Sequence, residues 1–409
     1  MRKFVLAFIL LLFILCANGL ALTWDEAVNL AAKNSNELIS AQKGLESTEW
    51  SYKRAFSTFL PQLSASASLS NSQSGTTAAW SESYSYGLSA SQSLFRGTEG
   101  IYSIQSAYAN VEYEKASLQS TKASVLYDLR SAFITVLIAQ ENVKLLEKIL
   151  DQRKSNAQLI QLRYDSGKED KGNLMGTNAD EAGAKYDLSS AKRDLKLARL
   201  KLSQLLGVEI DNVEGQNGVR APAEVKIDEM IPQTPSYIMY QKQLESSELA
   251  YKATISGFLP SVSLSGSLRN TGSDWPPDST NKSWSLNFSY PFFPGGSNVA
   301  DRASYAARLD AAREDFKQSI KDLKYSLEQS YEDLNDSLEA LEVAKVSLAA
   351  DEERAKIARV KYLNGLTNYD EWDRIESSYI QAQKSLLNYK KSAMSAEALW
   401  HKTYGGYVK

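Results

Sequence analysis

The chain has 409 residues, enough for two or three ordinary domains or for one elongated body. Its 46 lysines and arginines nearly balance 49 aspartates and glutamates, so the formal net charge is only −3. Such a balance gives no strong field to attract nucleic acid or an anionic membrane surface, and we expect no nucleic-acid partner.

Residues 1–21 have the features of a secretory signal peptide. Two basic residues precede an apolar run over residues 4–16, and the segment ends on small residues at Ala21. The run is shorter than the ~20 residues that a spanning helix needs, which disfavours a retained anchor. A lipoprotein attached through Cys16 is a second alternative, disfavoured because Leu15 stands where lipoprotein signals need a small residue. We expect no later spanning helix, so membrane insertion would use strands.

The sequence is built from two similar halves. Phe59-Leu60-Pro61 recurs as Phe258-Leu259-Pro260, and the segment around Gly167 recurs around Gly365, with an offset that stays near 198 residues. One register held over separated landmarks indicates a duplication. The predicted organisation is a first structural repeat over residues 22–206, a connector over 207–235 and a second structural repeat over 236–409.

A β-hairpin is predicted after each Phe-Leu-Pro, over about residues 62–95 and about residues 261–293. Apolar residues alternate with serines along the strands, as Leu63, Ala65 and Leu69 do. Each run is about ten residues long, which suits a tilted transmembrane strand with one apolar and one serine-lined face. A soluble sandwich with one wet face is the alternative, because it uses the same alternation.

Aromatic residues flank the predicted strands, as in the interfacial girdles of membrane barrels. The predicted girdle consists of Trp80, Tyr84, Trp275 and Trp284 at the loop end, with Phe95, Phe292 and Phe293 at the helix end. Four strands cannot close a barrel, and open sheet edges cannot be left in lipid. The chain is therefore expected to oligomerise, as a dimer with eight strands or a trimer with twelve.

Two proline-free segments, about residues 99–164 and 298–362, predict very long helices. At ~1.5 Å per residue, each would be roughly 100 Å long. Each ends near a glycine, Gly167 or Gly365, and a return helix follows, which gives two antiparallel hairpins with coiled-coil-like seams. A self-contained antiparallel bundle would show the same seams and is the alternative.

The sequence lacks the motifs of the common enzyme classes. There is no P-loop, no nucleophile elbow and no dinucleotide fingerprint. A single histidine, His401, cannot supply a multi-ligand zinc site, and the carboxylate pairs lie on charged helical faces where solvation explains them. We predict no enzyme activity, no cofactor and no metal site, with a glycosidase-like acid pair as the alternative left open.

A signal peptide, a duplicated hairpin entered through Phe-Leu-Pro and two very long helical hairpins together resemble the TolC-like outer membrane efflux proteins. The resemblance runs from Leu22-Thr23-Trp24 to about Tyr404. It implies a mainly α-helical fold with a membrane β-barrel contribution, in which four strands per chain close a 12-stranded barrel above an α-helical tunnel in a homotrimer. The implied location is the outer membrane of a Gram-negative bacterium, with an extension into the periplasm.

The resemblance also implies the function and the partners. The protein would be the passive exit duct of a tripartite efflux or type I secretion system, working with a periplasmic adaptor and an inner-membrane pump of the RND, ABC or MFS type. The cargo is not specified, because the pump selects it. A soluble periplasmic coiled-coil scaffold is the rival interpretation.

By the same resemblance, the helix-helix turns form a periplasmic tip that closes the channel. Asp370-Glu371-Trp372-Asp373 matches the family's Asp-x-x-Asp motif, so Asp370 and Asp373 are the predicted gate. Its spacing from the preceding glycine is about one residue shorter than in familiar members, and Trp372 replaces a smaller aliphatic residue. The alternative is that both are ordinary solvated acids early in a helix. Predicted adaptor contacts at the two turns are Gly167, Gly365, Tyr164 and Tyr362. The alternative, which is favoured for each of the two tyrosines, is that they pack the last helical turn.

Overall fold

The computed structural model describes residues 21–73, 75, 79–215, 219 and 225–406. Cys16 and the predicted signal peptide, except Ala21, lie outside the described residues. Two compact units are formed by discontinuous parts of the chain. Unit 1 contains the described residues of Met1–Ser40, Gln119–Ile231 and Lys324–Lys409, and unit 2 contains those of Ala41–Leu118 and Pro232–Leu323.

The described residues are mainly helical. The helices are α1 (Trp24–Asn34), α2 (Asn36–Ala55), α3 (Glu99–Asp165), α4 (Lys171–Leu206), α5 (Ile227–Met230), α6 (Pro235–Ala253), α7 (Ser297–Leu363) and α8 (Tyr369–Tyr404). Helices α3 and α7 have 67 residues each, and α4 and α8 have 36 each. Short 3₁₀ turns over Phe56–Phe59 and Thr254–Phe258 lead into the strands.

The helix ends follow ordinary capping chemistry. Thr23 and Glu26 form a reciprocal capping box at the start of α1. The side chain of Thr234 accepts a hydrogen bond from the Tyr237 backbone N–H at the start of α6, whose first residue is proline. Gly207 ends α4 with a φ of 70°, in the left-handed conformation that glycine adopts without steric cost.

Four strands form one antiparallel sheet in unit 2, in the order β1-β2-β3-β4. Their bounds are β1 (Gln62–Ser72), β2 (Ser81–Arg96), β3 (Ser261–Gly272) and β4 (Ser279–Ser289). The mainly helical fold with four antiparallel strands is thus confirmed. The second hairpin ends four residues before the predicted boundary at 293, because Pro291 has no backbone N–H to continue the ladder.

The largest core cluster lies in unit 1, where α1, α3, α4 and α8 contribute buried side chains. Phe133 of α3 is fully buried and meets the edge of Trp24, with ring centroids 5.7 Å apart. The predicted connector reaches this core through Val213, which is buried and forms a parallel bridge with Leu22. Gln140 fixes the bridge by accepting from the Val213 N–H and donating to its carbonyl.

One stretch of α3 differs from the expectation that no later segment is apolar enough to span a membrane. Within Glu99–Asp165, an 18-residue window is apolar enough to cross a membrane by length and composition. Of this window, 56% is buried inside the structure, as expected for a helix at the centre of a helical core.

Candidate functional site

The four-stranded sheet has one apolar face and one serine face. Ladder pairs such as Leu63 with Ala90 and Leu88 with Leu268 place aliphatic side chains beside each other on the apolar face. That face is open: Leu63 is 81% exposed and Phe288 is 69% exposed. Because soluble monomers rarely expose so continuous an apolar surface, this face requires an apolar environment.

The opposite face consists largely of serine hydroxyls that bond to one another across the strands. Ser64 and Ser89 are hydrogen-bonded at 2.7 Å, and Ser267 and Ser283 at 2.8 Å. Two further cross-strand pairs, Ser68–Ser85 and Ser265–Ser285, have the same geometry. Small hydroxyls that satisfy one another make a smooth polar surface suited to contact with water.

Strands β1 and β4 are the two edges of this sheet. Neither edge contains proline, and their only charged residue is Lys282 of β4. Edges of soluble sheets are usually protected by proline, charge or covering elements, since their free N–H and C=O groups pair readily with another strand. Both edges are therefore suited to pairing with strands of another subunit.

The predicted aromatic girdle is only partly brought together. At the loop end, the Trp275 ring lies 6.1 Å from the Tyr84 ring and 5.9 Å from the Tyr86 ring, and Trp80 is exposed just before β2. The placement of Trp284 at the loop end is wrong. Since β4 begins at Ser279, Trp284 is its sixth residue and lies in mid-strand, opposite Gly266.

At the helix end, the sheet places Phe95 by means of a β-bulge. An unbroken alternation along β2 would put Phe95 on the serine face, but a register shift between Ser93 and Phe95 pairs it with Val262 on the apolar face. Phe292 and Phe293 lie beyond the end of β4 and are 89% and 79% exposed.

The two helix-helix turns in unit 1 have the same construction. Gly167 and Gly365 have φ values of 71° and 73°, the left-handed conformation that closes a Schellman-type helix end. After the first turn, the Asp170 side chain accepts from the Asn173 N–H to start α4. Both glycines are exposed, so the turns present their backbones to solvent.

A cluster of aliphatic and aromatic side chains lies beneath these turns, and we name it the tip cluster: Ile160, Leu174, Ala358, Tyr362, Tyr369 and Trp372. The rings of Tyr362 and Trp372 are stacked at 4.6 Å, and the Arg163 guanidinium lies 4.5 Å above the other face of the Tyr362 ring. The Tyr362 hydroxyl donates to Glu169, and burial followed by this bond raises the tyrosine pKa.

The burial of Tyr362 favours packing of the last helical turn over an adaptor contact for this residue. Only 1% of Tyr362 is exposed, since it is held between Trp372 and Arg163. Tyr164 is 37% exposed and stays available to a partner. The two tyrosines occupy equivalent positions in the sequence but have different surroundings.

The predicted gate residues Asp370 and Asp373 also differ. Asp370 is exposed in the first turn of α8. Asp373 forms an ion pair of 3.0 Å with Arg153 of α3, whose guanidinium also lies 3.0 Å from Asp180 of α4. Arg153 therefore joins the two helical hairpins. Burial is the main reason that the pKa of Asp180 is raised, and the neighbouring Asp373 raises it further.

Additional polar contacts connect the hairpins along their length in unit 1. Lys384 of α8 is 2.9 Å from Asp187 of α4, and Lys390 of α8 is 2.7 Å from Glu141 of α3. Gln152 donates to the buried carboxylate of Glu376 near the tip. Asp370 and Asp373 also line a groove of about 1000 Å³ between α7 and α8.

Sequence reasoning missed Arg153, Trp372 and Glu169 as members of this arrangement. The burial of Arg153 could have been predicted from the sequence, because it continues the helical spacing of the buried residues Leu146 and Leu150 on α3. A charged residue at a seam position implies a buried partner. Glu169 gave no such signal, since it lies in a turn among other charged residues.

One chain combines strands that expose an apolar face with long helical hairpins. This combination defines the class of protein: a membrane-embedded β-sheet protein with a helical body. The family model described as outer membrane efflux protein matches residues 27–208 and 227–402. The chain therefore belongs to the outer membrane efflux protein family, as the TolC-like resemblance predicted.

Individual proteins agree with this assignment. The chain is 20% identical over 384 residues to the outer membrane efflux protein BepC of Brucella suis biovar 1, covering 90% of this chain and 84% of BepC. It is 28% identical over 228 residues to the cobalt-zinc-cadmium resistance protein CzcC of Cupriavidus metallidurans, covering 56% of this chain and half of CzcC. The CusC structure matches with a TM-score of 0.83 at 18% identity, over 94% of this chain and 92% of CusC.

Family membership establishes the broad function and location. The protein is an outer membrane efflux channel protein, located in the outer membrane of a Gram-negative bacterium and extending into the periplasm, so the predicted family and location are confirmed. It belongs to a family of channels, which are not enzymes. The rival interpretation, a soluble periplasmic scaffold, does not agree with an outer-membrane family or with the open apolar face of the sheet.

Proposed function

We propose that three copies of this chain close a 12-stranded barrel and form the passive exit duct of a tripartite efflux or type I secretion system. The observation that carries the proposal is the four-stranded sheet, with its exposed apolar face, its serine face and its two unprotected edges. In hydrocarbon, every backbone N–H and C=O must be paired within protein. Pairing β4 of one copy with β1 of the next satisfies both edges at once.

The serine face supports a trimer rather than a dimer. An eight-stranded barrel has an interior that side chains fill, whereas more strands leave an aqueous passage. Serines such as Ser64, Ser66 and Ser68 are too small to fill even a narrow barrel, and their hydroxyls suit a water-filled one. In a barrel of twelve strands, these hydroxyls would line a water-filled lumen.

Mass measurement in detergent and conductance in planar bilayers test this proposal. The expected result is a complex three times the mass of the mature chain that forms ion-conducting pores. A complementary test joins neighbouring subunits by a disulfide. Each chain carries one cysteine in β1, at or near Ser66, and one in β4, at or near Ser285, and the positions in the two strands are varied in turn. Recovery from the soluble periplasm without detergent, or a detergent-stable monomer without conductance, would contradict the proposal.

We infer that the duct opens at the helical tip through action of a periplasmic adaptor and an inner-membrane pump of the RND, ABC or MFS type. Support comes from Arg153, which holds Asp180 and Asp373 on two different hairpins. Outward movement of the α7/α8 hairpin relative to α3 and α4 would have to break the contact with Asp373. In this proposal, Asp373 keeps the tip closed through Arg153, and Asp370 supplies an exposed carboxylate near the constriction.

Replacing Arg153 tests the closed-tip proposal. Arg153→Gln is expected to raise the single-channel conductance or the open fraction, because Asp373 loses the contact that joins the hairpins. Arg374→Gln is the matched control, since Arg374 pairs along its own helix with Glu371 and is 70% exposed. Equal conductance in both variants and the wild type would contradict the proposal.

The exposed turns are the proposed adaptor contact, with Gly167, Gly365 and Tyr164 as its candidate residues. A photoreactive amino acid at position 164 is expected to cross-link a partner in intact cells, because the Tyr164 side chain reaches solvent. The same group at position 362 is the control, since that side chain is enclosed. Cross-linking only within the chain at position 164 would remove Tyr164 from the contact.

A further inference from the structure

Arg269 is an unbalanced cation on the serine face of the sheet. It lies in β3 opposite Gly87 of β2 and Asn281 of β4. Among the described strand residues, the other charged group on this face is Arg96, and Glu99 lies 3.5 Å from its guanidinium. In the part of the chain that the structure describes, no carboxylate lies within ion-pair distance of Arg269.

The surroundings of Arg269 hold its guanidinium over the sheet. Its Nη2 donates to the hydroxyl of Ser85 at 2.7 Å, and Ser85 itself is only 6% exposed. Gly87 leaves space for the arginine, since a Cβ at that position would come within 3.2 Å of the Arg269 Cβ and 2.6 Å of the Leu268 carbonyl oxygen. One bond to a hydroxyl leaves most of the guanidinium donors free for another acceptor.

We propose that Arg269 is a selectivity-determining residue of the channel, and that its copies form a cationic ring in the barrel lumen which binds anionic solutes through phosphate or carboxylate oxygens. The inference rests on the proposed function, because the serine face borders a lumen only in the closed barrel. A guanidinium forms paired, charge-assisted hydrogen bonds with both kinds of group. Rings of charged side chains are the usual means by which pores distinguish anions from cations.

Other charged groups near the same end of the sheet do not replace Arg269. Glu82 and Lys282 lie on the apolar face, and Asp274 and Asp278 lie in the connection between β3 and β4. Lys282 stands opposite Leu268, one ladder position from Arg269 but on the other side of the sheet. It therefore provides a control for charge at nearly the same level.

The experiment compares wild type, Arg269→Gln, Arg269→Lys and Lys282→Gln in planar bilayers under a KCl gradient. The reversal potential of Arg269→Gln should correspond to a chloride-to-potassium permeability ratio at least ~2-fold lower than wild type, with a larger change at low ionic strength. Arg269→Lys keeps the charge and should stay near wild type. Lys282→Gln should leave the ratio unchanged, because its charge faces away from the lumen.

Inorganic pyrophosphate added on the barrel side supplies the second readout. It should reduce the wild-type current and have a weaker effect on Arg269→Gln, at equal amounts of assembled complex. Unchanged selectivity and unchanged pyrophosphate block in Arg269→Gln would overturn the assignment while leaving the channel itself intact. A change of equal size in the permeability ratio of Lys282→Gln would assign the effect to the net charge of the protein, and it would also overturn the assignment of Arg269. Absence of conductance in the wild type would instead overturn the proposed channel.

Discussion

The sheet and the tip cluster use large aromatic side chains in opposite ways. On the sheet, Trp284 and Phe288 are 78% and 69% exposed, with no protein over them. In the tip cluster, Trp372 and Tyr362 are each 1% exposed and stack on one another. The same residue types are therefore placed for contact with a surrounding apolar phase in one region and for packing within the chain in the other.

This difference indicates what each region needs from outside. The tip cluster completes its packing and most of its polar contacts within a single chain, so its stability is a property of the fold. The sheet leaves apolar area and two edges uncovered, so its stability depends on lipid and on neighbouring strands. Substitutions in the tip should change the folding of the chain, whereas those on the sheet should change assembly and insertion.

The largest expected effect is that of Trp372→Ala. Removing a fully buried aromatic side chain typically costs about 3–5 kcal/mol, through lost transfer free energy and the cavity left behind. Urea unfolding of the detergent-solubilised protein should show this loss. Amide hydrogen exchange should show it most strongly in the adjoining ends of α7 and α8.

Trp284→Ala is the matched control for that comparison. Because the Trp284 indole is mostly exposed, its removal should leave the helical unfolding transition unchanged and reduce the yield of membrane-inserted complex. If the two variants destabilised the helical part equally, the distinction between a self-contained tip and a dependent sheet would be wrong.

A smaller effect is expected for Tyr362→Phe, which keeps the ring and removes the hydroxyl bound to Glu169. A hydrogen bond to a charged acceptor contributes about 1.5–3 kcal/mol. Glu169 is partly exposed, so the lower end of this range is expected. Tyr164→Phe should cost nothing measurable in the same urea titration, and a loss of equal size there would contradict the contrast between the two turns.

The sequence predicted the element types well because they depend on local periodicity. Alternation of Leu63, Ala65 and Leu69 with serine correctly gave the two faces of β1, and the proline-free segments correctly gave α3 and α7. The position of a residue along its strand, between the loop end and the helix end of the sheet, was less predictable. It depends on where each strand begins, and the position of Trp284 was wrong for this reason.

Contacts between distant helices were the least predictable feature. Arg153 and Asp373 are 220 residues apart, and their pairing depends on the rotation and register of packed helices, which no local pattern specifies. The duplication puts Tyr164 and Tyr362 at equivalent positions in the sequence, but it does not predict that Tyr362 is buried and Tyr164 partly exposed. Trp372 stacks on the buried Tyr362, whereas Leu174 occupies the position equivalent to Trp372 after the first turn.

The third prediction concerns the backbone of the second turn. Gly365→Ala places a Cβ on a residue with a φ of 73°, which should cost about 1 kcal/mol. Gly183→Ala is the matched control, because Gly183 lies in the middle of α4 with open space around it. That change should stabilise the chain by roughly 0.5–1 kcal/mol. Effects of the same sign in urea unfolding would show that the turn glycine is not conformationally required.

The smallest expected effect is a pH dependence that arises at His401, a half-buried residue in the last turn of α8. Its Nδ1 is 2.6 Å from the Tyr404 hydroxyl, and burial followed by the nearby Arg130 lowers its pKa below the ordinary value of 6.5. Glu397 forms an ion pair of 3.8 Å with Arg130. The native chain therefore resists protonation of His401 more than the unfolded chain does.

Between pH 6.5 and the lower native pKa, the unfolded chain binds the extra proton, so the free energy of unfolding should fall as the pH falls. His401→Gln keeps an acceptor for Tyr404 and removes the titration, so it should flatten this part of the pH profile in thermal unfolding. The effect should be confined to the helical transition, because no sheet residue contributes to it. An unchanged slope in the variant would show that this pH dependence arises from groups other than His401.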